Sequence, residues 1–589
     1  MEKKILSGNE AIARGAYEAG VNLAVGYPGT PSTEILENMS RFKDEVYCEW
    51  SPNEKVAFEV AAGASLSAAR CLVTMKHVGL NVAADPLMTL AYTGVVGGFV
   101  ACVADDPGMH SSQNEQDTRH FARFAKVPLL EPSDSQEAYD FMKLGIELSE
   151  KFTIPVILRS TTRISHSRGQ VVLGKRQEAE RPIGFEKDPP RFVPVPVWGR
   201  KMRIRLEEKL EKMRALVNRH PANRIEWRER KLGIVASGIA YQYAREVFPE
   251  ASVLKLGWSF PFADDLIREF CSGVEQVLVV EELEDILEEH IRALGIDCIG
   301  KEVVPAIGEL STDVLLASRA RLEGRQATEP QTSVLPEVED LPARPPVLCA
   351  GCPHRAVFYA LGRFDVVVTG DIGCYSLGTF DPLNRIDTIL CMGGGVSMAH
   401  GMDRAGDPRP VVGIVGDSTF FHSGITGLLD IAYNRGGSTT IVLDNRTTAM
   451  TGHQCNPGTG TTLMGEKVQA ASIEAIGKAC GIENVVTLDP YKMEDCMDVL
   501  KQAIESPEAW LIVVRAACPL HARKKLGSTL RVDEGRCIAC GKCLNLGCPA
   551  IEGGGGKPRV NPLLCSGCGM CRQVCPVDAF VDGEEACHD

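Results

Sequence analysis

No stretch of this 589-residue chain is apolar for long enough to cross a bilayer, which takes about 20 residues. Its longest apolar runs, such as 95–104, suit instead strands buried on both faces of a parallel sheet. The opening residues MEKKILSGNE carry no apolar run behind their lysines, so no secretory signal is expected. Basic charge is not in excess either. The formal net charge is −14, and nucleic-acid binding rests on basic patches. The expectation is therefore a cytoplasmic protein with no nucleic-acid or membrane partner, for which a basic redox partner or a small cofactor stays open. Internal repeats are absent beyond paired cysteine motifs near the end of the chain.

What the chain has in quantity is cysteine, 22 residues in all. Disulfide frameworks belong to oxidising compartments and usually to small chains. In a large chain that spaces many cysteines as C-x2-C, metal ligation is the better reading. Cys565, Cys568, Cys571 and Cys575-Pro576 follow C-x2-C-x2-C-x3-C-P, the bacterial run for a 4Fe–4S cluster. Cys537, Cys540, Cys543 and Cys548-Pro549 depart from it by one residue, with four rather than three between the last two cysteines. Three closely spaced thiolates cap three irons of a cubane, and the fourth ligand comes from the other group. One cluster is thus expected on Cys537, Cys540, Cys543 and Cys575, and a second on Cys565, Cys568, Cys571 and Cys548. Zinc needs only four tetrahedral ligands, commonly two C-x2-C pairs, and does not call for triplets followed by Cys-Pro.

The rest of the chain reads as α/β. Residues 1–180 alternate apolar runs with helical stretches between glycine and proline turns, the pattern of βαβ units. Five prolines between Pro182 and Pro196 mark a linker, and a charged helical segment from about Lys201 to Arg230 completes 181–230. A middle α/β block spans 231–321, with strands expected at Leu232–Ser237, Ser252–Leu256 and Gln276–Glu281. A proline-rich linker over 322–346 leads to a third α/β block, 347–522, and a compact cysteine-rich domain covers 523–589.

Two strand-like runs in the third block end in polar residues. Val411–Val415 is followed by Gly416-Asp417-Ser418, and Ile441–Leu443 by Asp444-Asn445. This resembles the thiamine-diphosphate motif, a GDG followed about 25 to 30 residues later by NN, with Ser418 and Asp444 in place of a glycine and an asparagine. A diphosphate is strongly anionic and is bound through a hard divalent cation with oxygen ligands. Asp417 would supply a carboxylate and Asn445 an amide oxygen to Mg2+. Upstream, Gly393-Gly394-Gly395 would let backbone approach the diphosphate at a helix N-terminus, unless they serve only as a tight turn. The cofactor also needs a glutamate facing its aminopyrimidine. The segment from Asn53-Glu54-Lys55 to Gly63-Ala64 resembles that element, which points to Glu54, with Glu59 as its rival.

Two thiamine-gripping elements and ferredoxin clusters in one chain resemble the 2-oxo acid:ferredoxin oxidoreductase family, along essentially the whole sequence. The resemblance implies thiamine-type parallel-sheet domains followed by an α+β two-cluster ferredoxin domain. It implies a backbone carbonyl ligand to the metal at Thr447, and a substrate contact from Thr30 in Gly26-Tyr27-Pro28-Gly29-Thr30-Pro31-Ser32. It also implies an arginine for the substrate carboxylate at Arg123, with Arg119 as competitor. Relatives with a cluster close to thiamine bind it through cysteines matching Cys349, Cys352, Cys374 and Cys518, which would make a third. Domain order and the segments 348–355 and 444–454 resemble the indolepyruvate branch. Its chemistry would be coenzyme A-dependent oxidative decarboxylation of an aryl 2-oxo acid with electrons passed to ferredoxin, or the same chemistry on pyruvate or a branched-chain acid. The family's small γ-type domain would then be a separate (β) subunit. His77, His354 and His453 lie near these motifs and could assist proton transfer or be structural.

Overall fold

The computed structural model describes residues 2–178, 182–326, 346–523, 525–553 and 555–583. The chain divides into two compact units, Met1–Glu339 and Asp340–Asp589.

A seven-stranded sheet forms the centre of the N-terminal unit. Its order is Trp258–Phe260, Leu129–Leu130, Val156–Thr161, Phe99–Asp105, Cys71–Lys76, Leu23–Gly26 and Tyr47–Trp50. All neighbours are parallel except the first pair. The run over 95–104 becomes the strand Phe99–Asp105, buried at every position, as a sheet covered on both faces requires. Helices Gly8–Glu18, Glu54–Leu66 and Ser135–Phe152 are each anchored by a side-chain N-cap, from Ser7, Asn53 and Asp134.

The middle block packs into this same unit. Its strands Gln276–Val280, Glu229–Ser237 and Ala251–Leu256 are parallel, and Trp258–Phe260 carries the chain on into the seven-stranded sheet.

The charged segment expected as a helix over 201–230 divides in two. The helix is Pro196–Val217, and Met202, Leu206, Leu210, Met213 and Val217 form its buried stripe. Asn223–Glu226 is then an edge strand antiparallel to Ala251–Leu256. Tertiary contacts decide this. The Asn223 amide accepts from the backbone N–H of Gly257 and Trp258, both at 2.9 Å, and donates to the Trp258 carbonyl at 3.0 Å. No local periodicity records those bonds.

In the C-terminal unit six strands are all parallel, in the order Thr388–Ile389, Val367–Gly370, Val411–Gly416, Thr439–Asp444, Trp510–Arg515 and Asn484–Leu488. One face packs Ile414, Ile441 and Ile512 against Phe358 and Leu500. The other packs Val415, Val442 and Val513 against Leu428 and Ile431. The cysteine-rich domain is two small antiparallel pairs, Leu530–Val532 with Phe580–Asp582 and Ile551–Glu552 with Arg559–Val560, plus helix Met570–Val574. Among the described residues no helix is long and apolar enough to span a membrane.

Candidate functional site

Ligands of open parallel sheets gather outside the carboxyl ends of the strands. At that edge of the C-terminal unit three neighbouring strands end in Gly370-Asp371, Gly416-Asp417 and Asp444-Asn445. Asp417 is 3% exposed. Burial, and then the nearby Asp444 carboxylate, push its pKa up to about 7, against a hydrogen bond from the Asn456 amide at 2.9 Å. No basic side chain among the described residues pairs with it. Asp444 is satisfied differently, by the Arg515 guanidinium at 2.6 Å. The Asn445 side-chain oxygen accepts from the Thr447 N–H at 3.1 Å, which folds the loop back towards the strand end. Ser418 and Thr448 are joined hydroxyl to hydroxyl at 2.9 Å. A buried carboxylate without a counter-charge, flanked by amide and carbonyl oxygens, is a donor set for a hard divalent cation.

Next to it lies helix Gly394–Ala405, whose N-cap residue Gly393 supplies no side-chain cap and whose Gly394 N–H donates to the Cys391 carbonyl at 2.9 Å. Gly393 adopts φ 81°, a left-handed turn. A Cβ at Gly395 would lie 2.7 Å from the Gly370 carbonyl oxygen and 2.9 Å from that of Ile414. That glycine therefore lets the helix sit on the sheet, and a Cβ at Gly393 would likewise lie 2.6 Å from that of Ser423. The loop has a further support that the sequence analysis does not single out: Asp371, fully buried, accepts from the Ile372 N–H at 2.6 Å and from the Gly395 N–H at 3.3 Å. Burial raises its pKa to about 8. Its signal was in plain view, since Gly370-Asp371 ends a strand as Gly416-Asp417 does.

Three cavities of this unit are lined by cysteines. Cys537, Cys540, Cys543 and Cys575 share one. Cys548, Cys565, Cys568 and Cys571 share another, together with Arg355 and Gly351. Cys349, Cys352, Cys374 and Cys518 share the third with His354, His453 and Asn445. Burial pushes the Cys374 thiol up to about 11 and Cys352 up to about 12. His354, wholly buried, is lowered to about 4 for the same reason. The Cys518 N–H donates to the Asn445 carbonyl at 3.1 Å, so the strand end that carries Asn445 also anchors a cysteine of the third cavity. The cysteine-rich domain is tied to the sheet domain through Tyr491, which donates to the Gly351 carbonyl at 2.9 Å and accepts at its own carbonyl from Gln573 at 2.7 Å.

In the N-terminal unit, packing separates the two glutamates. Glu54, at the start of its helix, is 4% exposed and pressed against Gly79. Glu59 is exposed and paired with Lys55. The turn of Thr30 lies nearby: Ser111 donates through its hydroxyl to the Thr30 carbonyl at 3.3 Å and accepts at its own carbonyl from Lys76 at 2.9 Å. Lys76 was not singled out from the sequence. Its stem packs on Gly29, and burial lowers its pKa to about 8 against the pull of Asp106 and Glu54. His77 is buried, with Nε2 3.2 Å from the Asn114 carbonyl.

Arg119 is 3% exposed and its fork is committed to Asp117, Glu281 and the carbonyls of Glu282 and Glu284. Buried among these partners, its fork is not presented to a substrate. Arg123 is 45% exposed, pairs with Glu289 at 2.8 Å and lines an open pocket with His120, Phe121 and Phe124.

Parallel-sheet domains with this acidic strand edge and cysteine-lined cavities fit a thiamine-diphosphate-binding, iron–sulfur oxidoreductase chain. Residues 14–221 match the family described as pyruvate flavodoxin/ferredoxin oxidoreductase, thiamine diphosphate-binding. Residues 371–514 match the C-terminal thiamine pyrophosphate-binding domain of thiamine enzymes, and 558–581 match the 4Fe–4S binding domain. The chain is 44% identical over 605 residues to indolepyruvate oxidoreductase subunit IorA of Methanothermobacter marburgensis, covering 98% of this chain and 97% of that one. Against the IorA subunit of Archaeoglobus fulgidus the identity is 42%, with the same coverage. A more distant relative, 2-oxoglutarate synthase subunit KorA of Archaeoglobus fulgidus, is 26% identical and aligns with 52% of this chain. The chain belongs to the family of the indolepyruvate oxidoreductase IorA subunits.

Proposed function

We propose that this chain carries the coenzyme A-dependent oxidative decarboxylation of aryl 2-oxo acids, of the indolepyruvate and phenylpyruvate type, with electrons delivered to ferredoxin. It would work with a small γ-type (β) partner subunit. The observation that carries the reading is the presence, within one compact unit, of the Asp417–Asn445 strand edge and three cysteine-lined cavities. Asn445 itself borders one of them.

The uncompensated carboxylate of Asp417 supports Mg2+ there, with the Asn445 side-chain oxygen and the Thr447 carbonyl as further ligands. The glycine-rich N-terminus of helix Gly394–Ala405 suits a diphosphate. Thiamine diphosphate, when bound, supplies the electron sink for decarboxylation. Glu54 holds a proton at the aminopyrimidine ring nitrogen, and Lys76 keeps positive charge beside the Thr30 turn. Arg123 has an exposed fork suited to a substrate carboxylate. The three cysteine sets would hold three clusters that lead electrons away. The test is anaerobic reduction of a viologen dye by a panel of 2-oxo acids, with and without coenzyme A, using the chain with its small partner. Fastest reduction by indolepyruvate or phenylpyruvate, dependent on coenzyme A, is expected. A preference for pyruvate or a branched acid would leave the chemistry standing and remove the aryl assignment.

The crossed cluster ligation has its own test. Cys575→Ser is expected to cost the cluster of Cys537, Cys540 and Cys543, although in sequence Cys575 closes the run of Cys565, Cys568 and Cys571. Paramagnetic resonance of the dithionite-reduced chain should then show one ferredoxin-type signal lost and the other retained. Loss of the signal belonging to Cys565, Cys568 and Cys571 instead would reverse the assignment.

A further inference from the structure

Arg355 is the second residue of the helix His354–Leu361 and is only 1% exposed, among the largest fully buried side chains of the described residues. Its guanidinium donates to backbone carbonyls alone: Leu348 at 2.6 Å, Cys349 at 3.2 Å, and Leu546 at close range. Nε reaches no partner. No carboxylate among the described residues forms an ion pair with it. A buried cation left in this state is strongly unfavourable unless a counter-charge is supplied.

The groups placed to supply one are cysteines. Arg355 lines the cavity of Cys548, Cys565, Cys568 and Cys571, and Nη1 lies near Gly547, next to Cys548. On its other side it holds the turn of Cys349 and Cys352 through the Leu348 and Cys349 carbonyls. Burial depresses its pKa, and the sulfurs of Cys548, Cys352, Cys568 and Cys349 oppose that shift. Neutral thiols would leave the cation uncompensated. Thiolates bound to a cluster, whose net charge is negative, would not. By contrast, no arginine or lysine among the described residues lines the cavity of Cys537, Cys540, Cys543 and Cys575.

We propose that Arg355 is the fixed counter-cation of the cluster held by Cys548, Cys565, Cys568 and Cys571, and that it raises that cluster's reduction potential. The proposal rests on the reading that this cavity holds a cluster. Reduction adds one electron to the cluster, received from its donor and passed on to its acceptor; Arg355 itself neither gains nor loses charge. A permanent positive charge favours the more negative, reduced state, and net charge and hydrogen bonding are known settings of cluster potential. The same side chain, bonded to Leu348 and Cys349 on one side and to Leu546 on the other, joins the turn of the sheet domain to the cluster loop. Arg355 is thus a positioning and tuning residue rather than a catalytic one.

The experiment is a redox titration of the full chain, purified anaerobically and followed by paramagnetic resonance, with iron and sulfide content measured on each sample. The Cys537→Ser and Cys565→Ser proteins assign the two ferredoxin-type signals, each by the signal it loses. In Arg355→Gln the equilibrium constant for reducing the Cys548 cluster is expected to fall about tenfold, about 59 mV for a one-electron couple, with the Cys537 cluster unchanged. Arg355→Lys keeps the charge but not the fork, and should stay within about threefold of the native value, about 28 mV on the same scale. Unchanged potentials in a fully loaded Arg355→Gln protein would overturn the proposal, as would equal falls at both clusters. So would a fall in Arg355→Lys as large as the tenfold expected for glutamine, and that arm decides even if Arg355→Gln does not take up its clusters. A native chain with iron for the Cys537 site but none for the Cys548 site would remove the underlying reading, and the proposal with it.

Discussion

Glutamine in place of Glu54 is expected to slow 2-oxo acid-dependent dye reduction by about 10²- to 10⁴-fold, the usual contribution of a positioned acid–base group. Iron content and melting temperature should stay near native. The carboxyl is buried at the first turn of Glu54–Leu66, where the Asn53 cap, accepting from the Val56 N–H at 2.9 Å, fixes the backbone that carries it. Glutamine keeps the volume and one oxygen but cannot exchange a proton. Glu59→Gln is the matched control. Glu59 is exposed and salt-bridged to Lys55, an interaction class worth about 0–1 kcal/mol. Its loss should leave the rate within about twofold, since no acid–base role is assigned to it. A large effect at Glu59 with little at Glu54 would transfer the role between them.

Asp417→Asn should separate affinity for the cofactor from stability of the fold. In the metal-free chain the substitution removes a buried carboxylate that burial and Asp444 both disfavour. The apo-protein should therefore melt higher than native above about pH 4, by a margin that grows up to about pH 7 and is then constant. The sign follows from the raised pKa. Native Asp417 is destabilised by ionisation once the pH exceeds the unfolded carboxyl value of about 4, and the full penalty is reached above about 7. Thiamine diphosphate with Mg2+ reverses the order. At a hundred times its dissociation constant a ligand adds about 2.7 kcal/mol to the native state, and the asparagine variant should show almost none of that gain. Thermal melts with and without the pair, at pH 6 and pH 8, read both effects. Equal ligand-induced stabilisation of the two proteins would remove Asp417 as a metal ligand.

The strand ends at Asp417 and Asn445 were legible because a βα turn announces itself within a few residues, as a hydrophobic run broken by Gly-Asp or Asp-Asn. Asn456 and Asp371 were not read as part of the same site. Asn456 reaches Asp417 from a loop 39 positions away. Asp371 acts on Gly395 from 24 positions away. The segment after Val217 failed as a helix for a related reason. Its charges fit a solvated helical face, but Asn223 found partners at Gly257 and Trp258 that no window around it contains. Lys76 escaped notice because a lysine ending a strand is unremarkable until the Gly29 turn folds over it.

By itself the sequence determined the α/β character of the large blocks, the cysteine spacings that fit iron–sulfur clusters, and the pair of strand ends that fit a metal-bound diphosphate. Each of these is encoded by residues close together on one backbone, where periodicity and spacing act directly. Tertiary structure alone decided which glutamate is buried, which arginine keeps an exposed fork, and that Arg355 lies between two cysteine sets without a carboxylate. Burial and counter-charge are properties of a surrounding. For Arg355 that surrounding includes a carbonyl 191 positions along the chain.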